Sequence, residues 1–96
     1  MASISIASGT GDTTLVAAAT DRAITVDYIT VVPSAAGSFA LWSGPSASGS
    51  RLTGDIPALA GISYTFFNLK CTAGAAFVIN RVDAMAVAGA YDARQK

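Results

Sequence analysis

Apolar and polar residues alternate with a period of two, and turn-forming residues interrupt them every few positions. This pattern limits the fold of the chain more than any other feature. From Ala23 to Val32, an extended strand places Ile24, Val26, Tyr28, Thr30 and Val32 on one face and Thr25, Asp27, Ile29 and Val31 on the other. The second face begins polar and turns apolar at Ile29, which predicts a central strand covered on both sides over its second half. Pro33 ends the run, because proline has no N–H to give a ladder. Ser38 to Ser43 sets Phe39 and Leu41 against Trp42. Ile62 to Cys71 places Ile62, Tyr64 and Phe66 on one face, then Phe67, Leu69 and Cys71 on the other, the kind of phase switch that a β-bulge or a strand crossing between sheets produces.

Further strands are predicted at Ser3 to Ile6, Thr13 to Ala17, Ala76 to Val82 and Ala84 to Tyr91. Between them lie turn segments such as Ser8 to Asp12, Thr20 to Arg22, Gly44 to Gly49 and Thr72 to Gly74. The expected fold is all-β: an antiparallel, jelly-roll-like β-sandwich of seven or eight short strands in a single domain over 1–96. Residues 1–11 are a candidate N-terminal arm, and the polar stretch 92–96 is expected to fray. Helix signals are weak: five residues from Leu15 to Ala19 cannot nucleate a helix alone.

Composition narrows the function. Charged residues make up 12% of the chain, about half the share in an ordinary soluble domain, and six acids balance six bases. Such a surface does little to repel other copies, so burial against protein partners accounts for it, with a coat of Ser and Thr hydroxyls as the alternative. Nucleic acid is not expected as a partner, since the six Lys and Arg residues are dispersed. Residues 28–50 carry no charge but are interrupted by Pro33, Gly37, Gly44, Pro45 and Gly49, so no membrane span is expected. Met1 to Ile6 lacks the basic and apolar parts of an export signal, and cytoplasmic synthesis is expected.

Reactive groups are few. The chain has no histidine and one cysteine, which excludes the Ser-His-Asp and Cys-His arrangements and thiolate zinc sites; neither cofactor nor enzymatic activity is expected. Asp27 and Asp83 form a conceivable carboxylate pair, though turn or solvated positions explain isolated aspartates better. The segment Gly9 to Thr14 has the look of a phosphate loop but lacks the Gly-Lys that would complete it. Lys70 beside Cys71 would favour a thiolate, while a buried structural cysteine is the plainer reading. Trp42, Tyr64 and Tyr91 are candidates for a sugar-stacking platform, against burial of the single tryptophan in the core.

The order of segments resembles a family of short tailed-phage structural proteins known as head decoration or capsid cement proteins. The resemblance runs through Thr13 to Ala19, Ala23 to Ile29, Leu41 to Gly44, Leu52 to Ala60, Thr72 to Asn80 and Val87 to Tyr91. It implies a non-enzymatic homotrimer in the virion, seated on the outer surface of the shell and bound to the phage major capsid protein. A tail, fibre or baseplate module, with or without sugar binding, is the alternative. Contact candidates come from the residues themselves. Ile4 and Ile6 are candidates for an edge strand able to extend a neighbour's sheet, with an ordinary first strand inside the domain as the alternative, and Tyr28, Ile29, Val31 and Phe67 are apolar positions in need of cover, from partners or from the chain itself.

Overall fold

A computed structural model describes residues 2–95. The all-β expectation holds, and every strand pairing is antiparallel. The seven strands are β1 (Ala2–Val16), β2 (Ile24–Pro33), β3 (Gly37–Ser43), β4 (Ser50–Arg51), β5 (Ile56–Ala58), β6 (Tyr64–Lys70) and β7 (Phe77–Gln95). They form one continuous curled sheet in the order β4-β3-β7-β2-β6, with β1 beside β7 and β5 beside β3.

The length of β7 organises the fold. One of its edges carries β1 from Val16↔Phe77 to Ala2↔Tyr91. The other carries β3 over Phe77–Arg81 and then β2 over Val87–Gln95. The β1–β7 ribbon thus belongs to two half-sheets, a β3 half and a β2 half. Between them the register shifts twice, at Ile6/Gly9 and Gly9/Gly11. Such shifts bend a strand sharply. At the bend lies Arg81, 6% exposed, whose guanidinium donates to the carbonyl oxygens of Ala7 and Met85, both at 2.7 Å.

The bend brings the two inner faces together. Phe39 of β3 meets Tyr64 and Phe66 of β6 edge-on, with centroids 5.9 and 6.4 Å apart. Tyr91 Oη donates to Leu15 O across the curl, and the Thr72 N–H donates to Ser43 Oγ. Ile24, Val26, Ile29, Val31, Leu41, Phe77, Ile79, Met85 and Val87 fill the interior. Burying each large apolar side chain contributes about 1.5–3 kcal/mol.

Several expectations are corrected. Residues 2–11 are not an arm: they pair with β7, and Ile4 is buried in the core, because alternating Ile4 and Ile6 find an inner face to fill. Residues 92–95 do not fray but pair with β2, held by Arg94 on Asp27 at 2.8 Å and by the Gln95 amide on Ala17 O. Met1 and Lys96 lie outside the described residues. The strands are also less uniform than the short ones expected, with β1 and β7 spanning 15 and 19 residues and β4 and β5 only two and three.

In β2 the inward residues are Ile24 and Val26, then Ile29, Val31 and Pro33. A bulge against β7 at Val26/Tyr28 moves the alternation by one, so one core takes Ile24 and Val26 of one predicted face together with Ile29 and Val31 of the other. In β6 the matching switch falls at Asn68, whose φ is 56°, and leaves Phe67 facing outward while Leu69 and Cys71 turn in.

Candidate functional site

The outer face of the β2 half follows from these two switches. With Ile29 and Val31 inside, Tyr28, Thr30 and Val32 point outward from β2. Register then builds rows across four strands. One row runs Thr65, Thr30, Ala90, Ser3, and the next Val32, Ala88, Ser5. Thr30 and Thr65 join through their hydroxyls at 3.1 Å. At one end Phe67 stands beside Tyr28, and Phe67 is 67% exposed. The rows of Thr30 and Val32 are uncharged; the Phe67–Tyr28 row ends on Asp92, and the Asp27–Arg94 pair lies beyond it.

The six expected contact residues therefore divide. Ile4, Ile29 and Val31 are buried in the chain's own core, and Ile6 packs partly against it. Tyr28 is half-buried on the outer face, and Phe67 projects from it. Sequence reasoning missed Leu59, Ile62 and Val82, which are also exposed. Leu59 and Ile62 flank the β5–β6 turn, whose Gly61 N–H bonds to Pro33 O at the end of β2. The available signal was the charge-free run from Ile56 to Leu69, which includes both.

The outer face of the β3 half is closed over. Trp42, expected in the core, lies on this outer side over Val78, with the Arg51 guanidinium 4.9 Å from its ring centroid. Ser46, in the loop after β3, donates its N–H to Asp12 at 2.9 Å, and Asn80 donates to the same carboxylate at 2.8 Å. A slight loss of solvent pushes the Asp12 carboxyl up, and these bonds outweigh it, leaving its pKa below the ordinary value. The Gly9 to Thr14 segment is thus strand and loop anchor.

The remaining reactive candidates have structural partners. Asp27 holds Arg94, while Asp83 accepts the Ser38 N–H at 3.0 Å. Tyr64 Oη takes the Leu59 N–H and Tyr91 donates to Leu15, so with Trp42 under Arg51 the three rings form no common platform. Cys71 is 6% exposed, and burial pushes its thiol pKa up against an opposing bond from Ser43. Among the described residues no cluster of three metal-ligating side chains occurs, and no helix is long and apolar enough to cross a membrane. A cleft of about 500 Å³ opens where three loops meet, lined by small uncharged residues such as Ala18, Gly44, Pro45, Thr72 and Ala75. No family model, curated protein or solved structure matches the chain.

Proposed function

We propose that this chain is a non-enzymatic structural protein of a tailed-phage head: a decoration protein that self-associates as a trimer, binds the outer surface of the major capsid protein shell and reinforces it. The single observation that carries the reading is the outer face of the β2 half, a surface of small, mostly uncharged side chains with Phe67 projecting at its edge. Leaving a phenylalanine in water forgoes about 1.5–3 kcal/mol, and aromatic residues are enriched in protein interfaces. A reinforcing protein needs contact area repeated over many copies, and repetition multiplies modest single affinities. The sparse charge of the chain suits a partner surface that is itself crowded with copies. The resemblance of the ordered segments to decoration proteins is what names the shell.

Cosedimentation of the purified chain with assembled major capsid protein shells tests this. Saturable binding near one copy per capsid subunit, with shells that resist heat better when coated, is the expected result. Shells that emerge bare, or that take up only a few copies each, would overturn the reading and favour a tail or baseplate position.

A further inference from the structure

We infer that β6 of one copy pairs with the Ala2–Ile6 segment of β1 in the next, closing copies of this chain head-to-tail into a ring. Self-association belongs to the function proposed above; the contact that makes it is inferred from the strands alone and stands whether or not the chain binds a shell.

The inference starts from unpaired backbone. Among the described residues β6 pairs only with β2, and β1 only with β7, so half the N–H and C=O groups of each face away from the sheet. Exposed edges recruit other strands unless something blunts them: brevity, proline, charge or a bulge. The other edges of this sheet are blunted. β4 has two residues, β5 has three with Pro57 at its centre, and β1 beyond Ile6 is broken by register shifts. β6 up to Phe67 and Ala2–Ile6 have no such protection. Neither contains proline, no charge occurs from Ala2 to Gly11, and none occurs from Ile56 to Leu69 until Lys70 closes β6. Three of the four exposed large apolar residues, Leu59, Ile62 and Phe67, lie on β6 or the turn before it.

Direction then selects the partner. The β2 half runs β6, β2, β7, β1, each strand antiparallel to the last. Four is an even number, so the two outer strands run in opposite directions. When copies are laid edge to edge with the same face outward, β6 therefore meets β1 antiparallel and the ladder continues without reversal. The five regular residues Ala2–Ile6 face the regular run Tyr64–Phe67 of β6, no like charges oppose each other, and Phe67 joins the face that carries Ser3 and Ser5 of the neighbour. A twofold β6–β6 pair would leave the β1 edge open. Head-to-tail pairing covers both, and closure lets each small contact act intramolecularly.

Sedimentation velocity of the purified full chain, wild type and two variants, tests the ring. Phe67→Lys and Ser3→Lys place a charge at one edge each, at exposed positions. The wild type is expected as a closed oligomer and both variants as monomers, with amides of β6 and of Ala2–Ile6 exchanging slowly only in the oligomer. Circular dichroism checks the fold, and if either variant unfolds, Thr65→Lys and Ser5→Lys replace them at the same edges. A monomeric wild type at millimolar concentration overturns the ring. An oligomer that survives Ser3→Lys means a twofold β6 contact or another surface, and equally overturns it. A wild type that stays monomeric yet binds shells removes this inference alone.

Discussion

The two half-sheets are alike inside and differ outside. Inside, they share one core: Phe39 from the β3 half lies edge-on to Tyr64 and Phe66 from the β2 half. Outside, the β3 half is covered by its own chain, with Trp42 under Arg51 and the loop after β3 tied down through Ser46 to Asp12 and Asn80. The β2 half carries small side chains and an exposed Phe67. A chain that can cover one face with a tryptophan, an arginine and a loop has no physical need to leave the other bare. In the function proposed above, that cover comes from outside.

The shared core gives the largest expected effect. Phe39→Ala removes the ring that both halves touch and should destabilise the chain by about 3–5 kcal/mol in chemical denaturation, the range for a fully buried phenylalanine. Both halves should melt together. If the β2 half keeps protected amides after the β3 half has exchanged, the two are independent units and the comparison fails.

The closed outer face comes next. Trp42→Ala uncovers Val78 and releases Arg51, at an expected cost of about 1–2 kcal/mol for a half-buried ring and its cation–π contact. Trp42→Phe should cost less than about 1 kcal/mol, since the indole N–H is buried without an acceptor among the described residues and its loss removes nothing favourable. A larger loss for phenylalanine than for alanine in thermal melts would contradict this account of the cover.

The open face should behave in the opposite way. Phe67→Ser, at a position 67% exposed, should shift the stability of the isolated chain by no more than about 0.5 kcal/mol. The same variant should bind shells at least about tenfold more weakly, the loss of one buried aromatic anchor. A variant that is much less stable yet binds as before would show that Phe67 serves the fold and not a partner.

Much of the inner architecture was legible in the sequence, because alternation reports burial directly: Ile24, Val26, Phe39, Leu41, Phe77, Ile79, Met85 and Val87 all appear in strands read from the pattern. The outer faces were harder to read. A bulge and a turn use the same residues, so Ser8 to Asp12 reads as a turn although it bends one strand, and Asp83 reads as a gap between two strands although β7 runs through it at the bend. The switch at Tyr28 depends on what β7 pairs with across sequence, which alternation within β2 cannot show. A small sandwich usually buries its single tryptophan, which points Trp42 to the core; nothing local says that Arg51, nine residues on, will cover it from the solvent side.

The smallest effect belongs to the loop that closes the β3 half, and it is a matter of pH. Asp12 has a folded-state pKa below its ordinary 3.8, because the Ser46 N–H, the Asn80 amide and the Ser46 hydroxyl favour the carboxylate more than its slight desolvation opposes it. A depressed carboxyl contributes stability that is fully present above its unfolded pKa and is lost as pH falls through the folded value. Near neutral pH the loop should therefore be tied down, and below about pH 4 it should loosen. Exchange of the Ser46 amide, followed by NMR from pH 6 down to 3, should accelerate relative to amides of β2 once intrinsic rates are divided out. Asp12→Asn should remove that acceleration. At the acid end the β3 half would then expose its outer side as the β2 half does at every pH, and a Ser46 amide whose protection ignores pH would mean that the cover is held by Trp42 and Arg51 instead.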